Sequence, residues 1–210
     1  MNLSVYLFTV GPLQENCYLL ADEKTKKAIF VDPGDEADLL LGVLKEKGYG
    51  LVAILLTHAH FDHVGAVEDI VEALAVPVYM HLADKVLYDN AAASAALWQI
   101  EIRQPTAKTT DLGDAQVLEF GDSKIECLFT PGHAPGHVAF YIESEKLLLS
   151  GDALFKGSIG RTDFPYANHE QLIKSIKEKL LVLPDDTNVY SGHGDGTTIG
   201  HEKKYNPFLS

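Results

Sequence analysis

Positive charge is scarce in this sequence. Its 210 residues hold 17 lysines and arginines against 30 aspartates and glutamates, for a formal net charge of −13. That balance argues against nucleic acid, whose phosphates demand a basic face. It does not exclude a small anionic substrate, because charges beyond the ~8 Å Debye length are screened and metal ions in a pocket dominate locally. Cysteine is nearly absent. Cys17 and Cys127 each sit in an apolar, strand-like run without CxxC spacing. A disulfide framework and a thiolate zinc site are therefore not expected, and both read as small buried residues. Long apolar runs are missing as well, and none approaches the ~20 residues of a membrane helix. Met1 to Val10 has no basic stretch before its apolar residues and no small-residue cleavage site after them. It reads as a first strand and not as a signal peptide, so a cytoplasmic protein with no membrane partner is expected.

What is present is an ordinary globular composition, 46% apolar and 22% charged, without internal repeat, low-complexity tract or linker. Residues 1–210 are expected to form a single domain. Leu3 to Thr9, Cys17 to Ala21 and Ala28 to Asp32 read as strands. Asp35 reads as the N-cap of a helix from Glu36 to Lys47, with Gly48 at its C-cap. Leu51 to Leu56 is an apolar strand, followed by a helix from Val64 to Leu74 and a strand over Val78 to Met80. Leu82 to Ile102 reads as helical and Gln104 to Asp114 as a loop. Beyond Val117 the texture changes to paired strands, Val117 to Phe120, Lys124 to Phe129, Val138 to Ile142 and Leu147 to Ser150. A helix over Ile173 to Leu181, a strand at Val189-Tyr190 and a helix over Ile199 to Tyr205 complete the chain. The alternation implies layered α/β architecture.

Four of the seven residues in Thr57-His58-Ala59-His60-Phe61-Asp62-His63 can bind a metal. As a helix the stretch puts His58 and Asp62 on one face and turns His60 away; as a strand it leaves His63 opposite the other three. Neither aims all four inward, so the stretch reads as a loop leaving a strand end. An isolated His-X-His pair is usually surface decoration, but this cluster is denser. Three further segments place donors beside glycine just after apolar strands: Thr130 to His137 with His133, Ser150-Gly151-Asp152, and Ser191-Gly192-His193-Gly194. Strand ends collect at one rim of a layered sheet protein, so these loops can converge. The count is five histidines and two aspartates. His58, His60 and His133 would hold one metal, Asp62, His63 and His193 a second, and Asp152 would bridge. Each metal keeps a position for a shared water or hydroxide, which marks a catalytic site. Zinc suits these donors best, with iron or manganese as alternatives.

The ordered set His58-X-His60-X-Asp62-His63, His133, Asp152 and His193 resembles the metallo-β-lactamase superfamily. The resemblance implies a four-layer αββα sandwich with the metals at one edge of the two sheets. Asp32, in the turn Val31-Asp32-Pro33-Gly34, matches an aspartate that commonly supports the metal site from behind. Within the superfamily, Gly157 to Pro165 and the ending Thr197-Thr198-Ile199-Gly200 through Asn206-Pro207-Phe208 resemble short bacterial members of the glyoxalase II-like group. That resemblance implies a thioesterase that splits S-D-lactoylglutathione into D-lactate and glutathione by attack of metal-bound hydroxide, with Asp62 and Asp152 orienting it. The C-terminal helical domain that binds glutathione in full-length glyoxalase II is not expected here. Lys203 and Lys204 are possible substitutes for its basic residues. Arg161, one of only two arginines, would bind a substrate carboxylate, against the plainer reading of a salt bridge with Asp163. Persulfide dioxygenases share the fold and a Gly-Arg-Thr-Asp-Phe segment, and would use His58, His133 and Asp152 around one iron. Other ester or lactone substrates are a further alternative. His81, His137, His169 and His201 fall outside the ligand pattern.

Overall fold

The computed structural model describes residues 3–209, so Met1, Asn2 and Ser210, at the ends of the expected 1–210 domain, lie outside the described residues. Two compact units divide the chain, Met1–Asp111 and Leu112–Ser210.

The first unit is built on a six-stranded sheet in which spatial order follows chain order. Strands β1 (Leu3–Val10), β2 (Glu15–Asp22) and β3 (Lys27–Val31) form an antiparallel meander. Helix α1 (Ala37–Lys47) then leads to β4 (Gly50–Leu55), parallel to β3. Gly48 ends α1 at φ +68°, and its N–H reaches the Leu44 and Lys45 carbonyls, as the sequence predicts. The start differs. Glu36, not Asp35, occupies the N-cap, at φ +55° and without a side-chain cap, while Asp35 spends its carboxylate on the Glu36 N–H at 2.6 Å. Helices α2 (Phe61–Val64) and α3 (Val67–Leu74) precede the parallel strand β5 (Val78–Met80).

The expected helix over Leu82 to Ile102 is broken into a 3-10 turn at Leu82–Asp84, α4 (Lys85–Tyr88) and α5 (Ala91–Ala96). The break falls at Asp89-Asn90, where the Asn90 amide donates to the Val86 carbonyl at 2.9 Å and competes with the helix ladder. The expected loop from Gln104 to Asp114 contains a three-residue edge strand, β6 (Thr109–Asp111), too short to show alternation. One face of this sheet packs Leu19, Phe30, Ile54 and Met80, with Leu56 just past β4, together with Leu40 of α1 and Ile70 of α3.

The second unit holds the order β14-β13-β10-β9-β8-β7. Strands β7 (Val117–Phe120), β8 (Ser123–Phe129), β9 (Val138–Ile142) and β10 (Leu147–Gly151) lie within a residue or two of their predicted bounds. A small hairpin of β11 (Leu154–Phe155) and β12 (Ser158–Ile159), unseen in the sequence, follows. Helix α6 (His169–Ser175) begins four residues before the predicted start because the Asn168 side chain caps it on the Gln171 N–H at 2.9 Å. It runs on as a π turn over Ile176–Leu180. Strands β13 (Asn188–Ser191) and β14 (Thr197–Thr198) and helix α7 (Ile199–Tyr205) close the chain. Leu148, Tyr141 and Val189 pack with Leu172, Ile176 and Ile199. Among the described residues no helix is long and apolar enough to cross a membrane.

Candidate metal centre

In the first unit, β3 and β4 are parallel neighbours, so their carboxyl ends lie side by side. That adjacency brings the Asp32 turn against the histidine stretch. The stretch is part loop and part helix. His58 to His60 are irregular, and Asp62 and His63 belong to α2. Regular geometry fails over the whole segment, as the sequence implies, but one helical turn suffices to bring Asp62 and His63 round. The His58 and His60 rings meet edge-on with centroids 4.7 Å apart, and His58 and His63 lie 4.1 Å apart. His63 Nε2 is 4.0 Å from Asp62 Oδ2.

Asp32 is buried and sits at φ +51°, a left-handed conformation uncommon for a residue with a Cβ. Its Oδ1 accepts the Thr57 N–H at 2.7 Å, and its Oδ2 accepts the Thr57 hydroxyl at 2.6 Å. Oδ2 also lies 3.1 Å from His63 Nδ1. Because the Thr57 hydroxyl donates to Asp32, its lone pair is turned to His58 Nδ1, 3.0 Å away. One carboxylate therefore assigns the Nδ1–H tautomer to two histidines, directly for His63 and through Thr57 for His58. Nε2 is then the ligating atom of each. Asp32, His58 and His63 offer donor atoms within 4.8 Å of one another.

Close backbone approach completes the arrangement. A Cβ on Gly34 would stand 1.8 Å from the Asp62 carbonyl oxygen, and one on Gly65 2.2 Å from the Gly34 oxygen. Two buried acids went unnoticed in the sequence. Asp84, with no solvent exposure, accepts the Ala59 N–H at 2.9 Å and so holds the backbone between His58 and His60. Glu15, also buried, places Oε1 3.7 Å from His63 Nδ1.

In the second unit, β8 and β10 run the same way and β13 lies parallel to β10. Their ends deliver His133, Asp152 and His193. The register shift between Leu149 and Gly151 and the Gly192 N–H to Gly151 carbonyl bond at 2.9 Å set His193 beside Asp152. Asp152 Oδ2 lies 3.6 Å from His133 Nε2 and 3.8 Å from His193 Nε2, one carboxylate oxygen facing two imidazoles. The Arg161 carbonyl accepts from His133 Nδ1 at 2.8 Å, which again leaves Nε2 to ligate.

His137 is excluded as a ligand by its own bonds. Its Nε2 accepts the Asp152 N–H at 3.0 Å, so Nδ1 carries the proton and donates to Thr130 Oγ1 at 2.8 Å. The Arg161 side chain is exposed, pairs bidentately with Asp163 at 3.0 and 2.8 Å, and lies over the Phe164 ring. That pairing holds the Asp163 carboxyl below its ordinary range. Cys17 and Cys127 are buried and are not joined in a disulfide. Burial, and then the charges of Glu15 and Asp32, push the Cys17 thiol well up, so it is no thiolate ligand.

The donors are imidazole nitrogens and carboxylate oxygens, with the His58, His63 and His133 rings held from behind. This chemistry fits a divalent metal of intermediate softness.

The metallo-β-lactamase superfamily model matches residues 10–193, and the chain belongs to that superfamily. Over 203 residues it is 44% identical to the probable metallo-hydrolase YqgX of Bacillus subtilis, covering 96% of this chain and 95% of that one. It is 39% identical to the hydroxyacylglutathione hydrolase GloC of Haemophilus influenzae, over 99% of both chains. Among solved structures, the BLEG-1 B3 metallo-β-lactamase matches at TM-score 0.92 and 40% identity, covering 99% of this chain and 100% of that one. TTHA1623 in a di-iron-bound form matches at TM-score 0.91 and 46% identity, covering 97% and 100%. Family membership, the hydrolase relatives and the clustered donors together support a metal-dependent hydrolase.

Proposed function

We propose that this protein is a metal-dependent thioester hydrolase of the glyoxalase II type, cleaving S-D-lactoylglutathione to D-lactate and glutathione. The observation that carries this reading is the 39% identity over 99% of both chains to a hydroxyacylglutathione hydrolase. The complete set of seven donors in the sequence supports it. In this reading residues 1–210 act as one domain. His58, His60 and His133 hold one metal, Asp62, His63 and His193 hold the other, and Asp152 serves both. Two divalent metals, when bound, bring the pKa of a water to about 7 and polarise the carbonyl under attack.

The remaining work falls to the side chains. Asp62 and Asp152 accept hydrogen bonds from the attacking water and fix its approach to the thioester carbon. Asp32, Thr57 and the Arg161 carbonyl keep His63, His58 and His133 in the Nδ1–H tautomer, so that each presents Nε2. Arg161 exchanges Asp163 for a carboxylate of the substrate, which its exposure permits at small cost. The substrate is a small, glutathione-derived thioester, and zinc is the expected metal. The 46%-identical relative in its di-iron form favours iron as the second reading of the metal.

Metal content by mass spectrometry, on protein purified without added metal, tests this beside S-D-lactoylglutathione hydrolysis. About two metal equivalents per chain with thioester turnover is expected. One iron, with oxygen uptake on glutathione persulfide and no thioester cleavage, would overturn the hydrolase in favour of a dioxygenase.

A further inference from the structure

Glu202 on α7 is a carboxylate with no solvent exposure, and the proposed chemistry makes no use of it. Burying a charge demands hydrogen bonds in place of lost hydration. Here three donors supply them. Oε2 accepts the Gly157 N–H at 2.9 Å and the Asn206 amide at 2.8 Å, and Oε1 accepts the Thr197 hydroxyl at 2.6 Å. Asn206 also donates to the Ser158 carbonyl at 2.9 Å.

Both residues thus grip the hairpin β11–β12 at its turn, where Gly157 adopts φ +67°. The other end of the hairpin meets His133. The Gly160 N–H donates to the Ala153 carbonyl at 3.3 Å. A Cβ on Gly160 would stand 2.0 Å from the Asp152 carbonyl oxygen and 3.1 Å from His133 Nδ1, so the backbone there has no slack. The next carbonyl, that of Arg161, accepts from His133 Nδ1 at 2.8 Å. The β11–β12 turn and the segment 197–206, far apart in the chain, are thus joined by hydrogen bonds.

We propose that α7 is a latch that positions His133. Glu202 and Asn206 hold the hairpin, the hairpin's trailing carbonyl holds the Nδ1 proton, and Nε2 is thereby fixed towards Asp152. Glu202 and Asn206 are positioning residues, with no contact to a reacting atom. The purpose of the latch rests on the reading of His133 as a metal ligand, but the hydrogen bonds it controls do not.

The experiment uses the full chain with Glu202→Ala, Glu202→Gln and, as a control on the exposed side of the same helix, Lys204→Ala. Two readouts are taken on folded protein: solvent exchange of the His133 Nδ1 proton in the metal-free state by nitrogen-15 NMR, and zinc affinity by chelator competition. Glu202→Ala is expected to exchange that proton roughly tenfold faster and to bind zinc roughly 10- to 100-fold more weakly. Glu202→Gln should recover most of both, because its side-chain oxygen still accepts from Gly157 and Asn206 while its amide faces Thr197. Lys204→Ala should match the parent. If Glu202→Ala does not fold, Asn206→Ala is read in the same two ways.

Exchange and zinc affinity within twofold of the parent in the folded variants would overturn the latch and leave the metal reading standing. A parent chain that binds no zinc, yet whose His133 proton is protected and is loosened by Glu202→Ala, would overturn the metal reading and leave the latch.

Discussion

Asp32 and Thr57 illustrate how one buried carboxylate and one hydroxyl set the tautomers of two histidines, His63 and His58. The Thr57 hydroxyl stands between a buried carboxylate and His58 Nδ1, at 2.6 and 3.0 Å. Thr57→Val keeps the shape and removes the relay. It is expected to weaken metal binding roughly 10- to 100-fold and to lower stability by about 1–3 kcal/mol through the unsatisfied partners. Thr57→Ser should keep most of both. Metal titration and thermal melts of the two variants decide, and a valine variant binding metal like the parent would remove the relay from the account. At this scale the sequence was legible where donors cluster or sit beside glycine after an apolar strand, which is how His133, Asp152 and His193 stand out. Asp84 and Glu202 gave no such signal. Each acts on a backbone N–H more than twenty residues away, Ala59 and Gly157 respectively, and a lone acid in a helix looks the same whether it faces water or a buried amide.

Among the elements, the inner strands β2, β9 and β10 were read within a residue or two because they are buried on both faces and their apolar runs are nearly continuous. The failures came where side chains compete with the ladder, at Asp89-Asn90, or where an element is too short to have a period, as in β6, β11 and β12. A polar cluster joins β1 and the β2–β3 turn to the region after α1. Tyr49 donates to Glu23 Oε1 at 2.5 Å, the Tyr6 and Tyr49 hydroxyls meet at 3.0 Å, and Lys26 donates to Glu23 Oε2 at 2.8 Å. The Lys26 and then the Tyr49 hydrogen bonds hold the Glu23 carboxyl down at about 2. A depressed carboxylate contributes stability above its unfolded pKa of about 4.3, lost as pH falls through that value towards the folded one. Glu23→Gln should therefore melt below the parent at pH 7, with the gap closing between about pH 4 and pH 2. Melting curves across that range check it; a gap unchanged at the acid end would mean the carboxylate charge is not what the network uses.

At the scale of the whole molecule, the family was legible because its donors keep a fixed order along the chain, while the substrate was not, since loop shapes outside the donor motifs govern it. Metal removal gives a test at the same scale. A ligand at a hundred times its dissociation constant stabilises the folded state by about 2.7 kcal/mol. Chelation should lower the melting temperature by roughly 5–10 °C for a chain of this size, and an unchanged melt would show that the folded chain holds no metal. The strand order carries a further consequence. In the first sheet every strand pairs with its neighbour in sequence, and the widest gap is that between Val78 and Thr109. In the second sheet β10 must find β13 across the hairpin and α6, with Leu147 against Asn188, the widest sequence gap of any strand pair among the described residues. Loop-closure entropy is steepest there. That same pairing sets Ser191 against Gly151 and carries His193 to Asp152. The costliest step in threading the second sheet is thus also the one that assembles its donors, so in this half of the chain a misregistered sheet and an inactive site are a single error.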